Sequence, residues 1–331
     1  SFPLIQKFLL PLFIFLLSVV IFLTWEGQRT TTYQGEIMGT TYKVIMIDGN
    51  QKEADIFKVL NSVNNEMSTY IESSTISILN KSEIGKWVNV SNNFIKVASF
   101  SKKICDETNG AFNIGLGHFV NYYGFGPPRE METNNDQSLR KLSNDISCSI
   151  YEIDKEKKRI KRTSDVYLDM SGIAKGFAID LLSSYLDSKY VKSYFIELGG
   201  EIKFKGKKEN NEPWLIAIEN PKLLSSPIVV LSSKDYLDSS IATSGEYRNF
   251  LNVNGNIVSH TIDPKSFKPI KNNHLSVSVI SKSAMKADAL ATALNVMGEK
   301  EGLEYSNANQ LISFFLVDEK GEISLKPSKW F

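Results

Sequence analysis

The sequence predicts an α+β fold, and three observations carry that prediction. Apolar residues recur at helical spacing in well-separated segments, 54–67, 93–108 and 284–297. Strand-like runs are grouped between them, several in succession from 193 to 231 and from 239 to 281. No internal repeat and no clean break divides the body, so residues 30–331 read as one domain preceded by a distinct segment at 1–29.

The opening segment is read as a membrane anchor. Phe8 to Thr24 is apolar almost throughout and uncharged, with Lys7 just before it. Those 17 residues, rising about 1.5 Å each, give roughly 25 Å of helix, short but adequate for a bilayer core. A cleaved signal peptide has a similar layout. No small-x-small cleavage site precedes Thr24, however, and Trp25 follows directly, so an uncleaved N-terminal transmembrane helix is the expectation. Lys7 on one side, and Arg29 offset by Glu26 on the other, are too evenly matched to orient it.

The body is then read in order. Thr30–Gly35 is a short polar tether, and Glu36–Ile47 a strand interrupted at Met38-Gly39-Thr40-Thr41. Ala54–Met67 is a helix with Ile56, Val59, Leu60 and Val63 as its apolar stripe. Ser68–Asn80 is irregular. Asn93–Thr108 is a second helix, with Ser91 and Asn92 as capping candidates and an end near Gly110. Gly115–Pro128, with its glycines, prolines and aromatics, is a loop, and Glu130–Gln137 a polar surface excursion. Ser149–Ile153 and Arg159–Arg162 form a hairpin. Asp169–Leu186 joins a loop to a long helix. Ser193–Glu197 is a strand closed by Gly199-Gly200. Strands continue from Glu201 to Leu231, with turns at Lys207–Glu212 and Asn220–Pro227, and again at Ser239–Phe250, Asn256–Ile262 and Ser276–Ser281. The helix Ala284–Met297, a shorter one at Lys300–Ala308 and a hairpin across Asp318–Gly321 complete the chain.

Charge and cysteine count bear on partners and compartment. A formal net charge of +1 gives no reason to expect a nucleic-acid partner. Only two cysteines occur, Cys105 and Cys148. Two carry no framework signal, so ordinary buried thiols are favoured over a pair formed in an oxidising compartment.

The chemistry concentrates in a few segments. In Ser283–Thr292, Asp288 and Thr292 stand four residues apart, stacked on one helical face among alanines. A carboxylate and a hydroxyl with room beside them suit a hard cation, and Mg²⁺ typically shares its shell with substrate phosphates. Leu168–Gly176 is a small-residue loop entering a helix, whose free N–H groups and positive dipole end suit a phosphate. Lys175 would add a point charge there, and Asp169 would hold a hydroxyl or ring N–H. A capped helix with a solvated lysine explains the same residues equally well. His260 lies between a strand and a turn that carries Asp263, a carboxylate able to orient the imidazole as a base. A lone histidine is otherwise more often structural. Glu197–Gly200 allows close backbone approach, and Arg248 in Thr243–Arg248 is a cation for a phosphate or carboxylate. Gly110–Asn113 and Tyr122–Pro127 place aromatics beside glycines, as an aromatic ligand or plain core packing would require.

Taken together, Met38–Thr41, Met67–Tyr70, Gly110–Asn113, Val120–Pro127, Leu168–Gly176, Glu197–Gly200, Ala242–Asn249, Ser259–Pro264 and Ser283–Thr292 resemble, in order, the ApbE-type FAD:protein FMN transferases. The resemblance spans residues 36 to about 325. It implies an ApbE-like fold of mixed or antiparallel sheets with packed helices, two lobes about a central FAD and Mg²⁺ site, and transfer of FMN from FAD to a Thr or Ser hydroxyl of a redox-complex subunit, with AMP leaving. It implies Asp288, Thr292 and the Gly172 carbonyl as metal ligands. Met38, Tyr70, Ala111, Phe112, Asn113, Asp169, Lys175 and Ile262 would contact FAD, and His260 would be the base for the incoming hydroxyl. It also implies work on the outer, periplasmic side of the bacterial inner membrane.

The chain departs from the family pattern at Asn113, where Asp is usual, and at Gly172, where Ala is common. It lacks the lipid-modified cysteine, so anchoring would rest on the helix. It also lacks the acceptor signature, roughly Asp-Gly-Ala-Ser/Thr-x-Ser/Thr, so the flavinylated target is another protein. Two alternatives share the same residues: an Mg²⁺-dependent FAD pyrophosphatase, and a non-catalytic FAD-binding protein, against which His260, Asp288 and Thr292 argue.

Overall fold

The structure is a computed structural model that describes residues 28–127, 136–220, 223–245, 250–253, 256–271 and 273–331. The expected anchor and Arg248 lie outside these residues, as does most of the excursion at 130–137. Among the described residues no helix is long and apolar enough to cross a membrane.

In chain order the elements begin with β1 (Thr30–Ile37) and β2 (Thr40–Ile47), followed by α1 (Glu53–Met67), α2 (Thr75–Lys81), β3 (Val88–Asn89) and α3 (Asn92–Glu107). The short helices α4 (Gly117–Tyr122) and α5 (Asp136–Ser143) precede β4 (Tyr151–Asp154), β5 (Arg159–Arg162) and α6 (Ala174–Ser188). Then come β6 (Ser193–Leu198), β7 (Glu201–Lys205), β8 (Leu215–Asn220), β9 (Leu223–Ser232), β10 (Ser240–Gly245), β11 (Phe250–Val253), β12 (Asn256–Ser259), β13 (Ile262–Asp263) and β14 (Lys268–Pro269). The chain closes with β15 (His274–Ser281), α7 (Ala284–Ala308), β16 (Ile312–Glu319) and β17 (Glu322–Pro327).

An eight-stranded sheet, ordered β1-β2-β6-β7-β10-β15-β16-β17, organises the chain, and its neighbours pair antiparallel. The period of two in its strands sends alternate residues to opposite faces. On one face Val44, Met46, Ile196, Val277 and Val279 meet Leu60 of α1, Leu182 of α6 and Leu290 and Leu294 of α7. On the other, Phe204, Ile241, Ile280, Phe314 and Leu316 are covered by Trp214, Ile216 and Leu231 of the β8–β9 hairpin. Burial of each such side chain contributes about 1.5–3 kcal/mol. Both faces are therefore occupied, and the helices of the first face are free to present their ends to a site.

The structure corrects the reading of several segments. Thr30–Gly35 is not a tether but most of β1, an edge strand whose residues alternate between exposed and half-buried. It pairs with β2 across Met38-Gly39, whose positive φ values of 54° and 71° fit a two-residue hairpin turn. The irregular stretch before Asn80 contains α2, begun by Ser74, whose hydroxyl accepts the Ser77 N–H at 3.2 Å. The loop expected at Gly115–Pro128 contains α4, whose Phe119 packs with Leu116, Ile262 and Phe267; the flanking glycines hide so short a turn. β9 begins inside the turn expected at Asn220–Pro227, after register shifts at Ile218–Asn220. The long helix α7 is broken at Gly298, with φ 81° and ψ 174°, where the sequence places a boundary between two helices. Cys105 and Cys148, where the sequence favours buried thiols over a pair, form a disulfide that closes a separation of 43 residues.

Candidate functional site

The site grows from the way α6 meets α7. Asp180 of α6 accepts hydrogen bonds from Ser283 Oγ (2.7 Å), the Ala284 N–H (2.9 Å) and the Met285 N–H (3.0 Å), and from the Lys203 ammonium (2.9 Å). It thereby caps α7 from its neighbour. One turn earlier in α6 the two backbones come together at Gly176. A Cβ there would lie 2.3 Å from the Ala284 carbonyl oxygen and 2.7 Å from Asp288 Cβ, so no larger residue fits. That approach lets Asp288 Oδ2 accept the Gly176 N–H at 2.9 Å.

The helix N-terminus is therefore less open than the sequence suggests. The Ala174 N–H is bonded to the Met170 carbonyl at 2.8 Å, and the Gly176 N–H is held by Asp288. These two donors are not presented to a phosphate, and the Lys175 ammonium is the cation beside them. Lys175 Nζ stands 3.4 Å from Glu201 Oε1. Burial alone would lower the lysine's pKa, but Glu201, Asp288 and Asp169 outweigh it, so the cation is retained. Burial raises both carboxyls, at Glu201 and at Asp288, while Lys175 pulls each the other way. Glu201 Oε2 is buried with no hydrogen-bond partner among the described residues.

On the Asp288 face of α7, Thr292 Oγ1 lies 3.5 Å from the Gly172 carbonyl oxygen. A carboxylate, a hydroxyl and a backbone carbonyl thus gather at one place, all hard oxygen donors of the kind Mg²⁺ prefers. Among the described residues no group of three or more His, Cys, Asp or Glu side chains forms a metal site. The donor set fits an ion that takes only part of its shell from the protein and the rest from water or phosphate oxygens.

These oxygens line a cavity of about 100 Å³ together with Ala111, Asn113, Asp169, Lys175, His260 and Ile262. The volume falls below the roughly 300–1,000 Å³ that encloses a whole drug-sized ligand. It has room for one small group of a ligand rather than for a whole one. Three residues expected at the site do not line this cavity. Phe112 is buried beneath Gly172. Tyr70 is largely exposed, its hydroxyl donating to the Phe125 carbonyl at 3.1 Å. Met38 is half-buried in the β1–β2 turn, next to Gly39-Thr40, and Thr40 lies against Gly199.

Two further readings change. Asp263 accepts from the Lys265 N–H (2.9 Å) and Ser266 Oγ (2.8 Å), so its carboxylate closes its own turn, and neither of these bonds goes to His260. The His260 ring instead meets Phe125 edge-on, with centroids 6.3 Å apart. Asn113 uses both ends of its amide: Oδ1 accepts the Gly115 N–H at 2.8 Å and Nδ2 donates to the Ser147 carbonyl at 3.2 Å. An aspartate could not make the second bond, so the departure from the usual residue has a local structural reason.

The sequence reading missed Glu201, Thr261 and Ser171 as lining residues. The glycine pair before Glu201 hints at a close approach, but nothing in the sequence signals that the carboxylate turns inward toward Lys175.

Residues 38–316 match the ApbE family. A curated relative from Vibrio cholerae serotype O1, named FAD:protein FMN transferase, is 36% identical over 293 residues, covering 86% of each chain. The solved flavin transferase ApbE from Vibrio cholerae superposes with a TM-score of 0.81 at 32% identity, covering 92% of this chain and 98% of its own. The apo flavinyl transferase ApbE from Pseudomonas stutzeri gives 0.82 at 30% identity, with 93% and 97% covered.

Proposed function

The chain belongs to the ApbE family, and from that premise we propose that it is a flavin transferase that moves FMN from FAD to a hydroxyl of a target protein. The relatives that share its length and fold carry that activity in their names. The observation that carries the reading on this chain is the convergence of Asp288, Thr292, the Gly172 carbonyl, Lys175 and His260 on one cavity.

Asp288, Thr292 and Gly172 would hold Mg²⁺. Bound there, the ion would supply charge neutralisation to a pyrophosphate and its leaving group. The chain's own residues position the reactants. Lys175 is fixed by Glu201 at the same cavity and faces the anionic bridge. Ala111, Asn113, Asp169 and Ile262 shape the walls against FAD, with Phe112 behind them and Tyr70 and Met38 toward the mouth. His260 accepts the proton of the incoming Thr or Ser hydroxyl as its oxygen attacks the FMN phosphorus, and the P–O bond to AMP breaks. A general base typically contributes a factor of about 10²–10⁴. Leu116 and Ile262, which pack with Phe119, add an apolar wall to the same cavity.

The target is a redox-complex subunit carrying an acceptor hydroxyl. The Cys105–Cys148 disulfide supports an oxidising compartment, hence the periplasmic face of the inner membrane, with residues 1–29 as the anchor. Protease added to intact spheroplasts would then degrade the domain; protection would place it inside.

The catalytic reading is tested by following FAD and AMP. AMP release should require Mg²⁺ and an acceptor with its hydroxyl intact, and should stop when that Thr or Ser is replaced by Ala. AMP and free FMN formed equally well without acceptor would replace transfer by hydrolysis.

A further inference from the structure

Asp263 is engaged in its own turn, and a second set of buried contacts holds the residue next to His260. Thr261, the next residue, is buried at the cavity wall. Its hydroxyl accepts from Asn295 Nδ2 at 3.2 Å, and its carbonyl accepts the Ile270 N–H at 2.9 Å. Asn295 is fully buried, and its Oδ1 lies 2.7 Å from His274 Nε2. With Nδ2 donating to Thr261, Oδ1 is the acceptor, so His274 carries its proton on Nε2 and sets the amide's orientation. His274 is itself held edge-on against Phe315, with centroids 5.1 Å apart.

The placement of Asn295 gives this chain its meaning. Asp288, Thr292 and Asn295 occupy positions i, i+4 and i+7 of α7, one stripe of one helix. The stripe that offers oxygens to the cavity therefore also grips the residue beside the candidate base. We propose that Asn295, oriented by His274, is a positioning residue: through Thr261 it fixes His260 relative to Asp288 and Thr292. This rests on the flavin-transferase reading for its catalytic consequence, but not for its geometry. A buried amide bonded at both ends has few alternative orientations, so it transmits placement rather than merely filling space.

The test uses the full-length chain and two readouts. Thr261→Val removes the acceptor hydroxyl while keeping the side chain's shape. Transfer to an acceptor subunit at saturating FAD and Mg²⁺ should fall about tenfold in kcat, with KM for FAD within about twofold, as expected for a small misplacement of a catalytic group. Thr261→Ser should recover most of the lost rate. Asn295→Leu combined with Thr261→Val should be no slower than the worse single variant, because both cut one connection. The second readout is NMR of ¹³C-histidine-labelled protein, which has three histidines to resolve, His118, His260 and His274. His260 should broaden or split in Thr261→Val while His118 is unchanged.

Wild-type kcat in Thr261→Val, a loss confined to KM, multiplying effects in the double variant, or an unaltered His260 signal would each overturn the proposal. Were the wild-type chain to transfer no FMN, the functional reading would fail while the His260 signal still decided the positioning claim.

Discussion

The Asp288 carboxylate accepts the Gly176 N–H at 2.9 Å, so a side chain of α7 closes the N-terminal turn of α6. The carboxylate at the proposed metal position thereby also fixes two helices, and substitutions separate the two roles. Asp288→Asn retains a carbonyl oxygen for the Gly176 N–H but gives up the charge. Its thermal stability should stay near wild type while Mg²⁺-dependent transfer is lost. Asp288→Ala should lose transfer too, keep part of its FAD binding, and cost a further 1–3 kcal/mol or so for the unsatisfied N–H. Paired urea titrations and Mg²⁺ titrations check this; full Mg²⁺-dependent activity in Asp288→Ala would rule out the metal assignment.

Gly176→Ala should be among the most damaging small substitutions in the chain. Its methyl would meet the Ala284 carbonyl at 2.3 Å, and α6 and α7 would have to separate. Overpacking of this kind costs about 1–3 kcal/mol, and the displaced Asp288 should lower transfer as well. A variant with unchanged melting and activity would show that the helices do not approach so closely.

Asn113→Asp tests the local reason for the unusual residue. It removes the donor to the Ser147 carbonyl and sets a carboxylate against that oxygen. A loss of about 1 kcal/mol is expected from urea denaturation, with a matching change in the affinity for FAD. A gain in stability would mean that the amide bond to Ser147 contributes nothing.

Removing the disulfide by Cys105→Ser with Cys148→Ser should destabilise the chain by about 2–5 kcal/mol, since the bridge closes 43 residues. Wild-type protein melted with and without a reductant should show the same difference. Coincident curves would make the bridge thermodynamically silent.

Stability should fall on the acid side, partly through His274. Burial lowers its pKa, with the Asn295 bond working against that shift. The unfolded imidazole titrates near about 6.5, so below that pH the unfolded state holds more protons than the native one. This contribution is complete above about pH 6.5 and is lost as the pH falls toward the lowered native value. His274→Gln should therefore lose less stability than wild type between about pH 7 and pH 5. Equal losses in urea titrations at both pH values would exclude His274 as a contributor.

Much of the site was legible in the sequence because it is local. Asp288 and Thr292 share a helix face by spacing alone, and the two helical segments meeting at Gly298 follow from periodicity and one glycine. What stayed hidden depends on long-range partners. Asp263 looked like the orienter of His260 because it is three residues away, whereas its carboxylate bonds Lys265 and Ser266 and the segment is held through Asn295, 34 residues from Thr261. Glu201 carries no pattern of its own and becomes visible only when β7 brings it to Lys175. β1 was missed because an edge strand needs little hydrophobicity, and α4 because glycines flank a helix of only 6 residues.

The central claim is most directly met by the intact mass of a candidate acceptor subunit, taken under denaturing conditions after incubation with the chain, FAD and Mg²⁺. The acceptor should gain one FMN by a bond that survives denaturation, with one AMP released per adduct, and should gain nothing with Asp288→Asn or without the ion. An acceptor of unchanged mass, beside FAD that is intact or split to free FMN, would contradict the account.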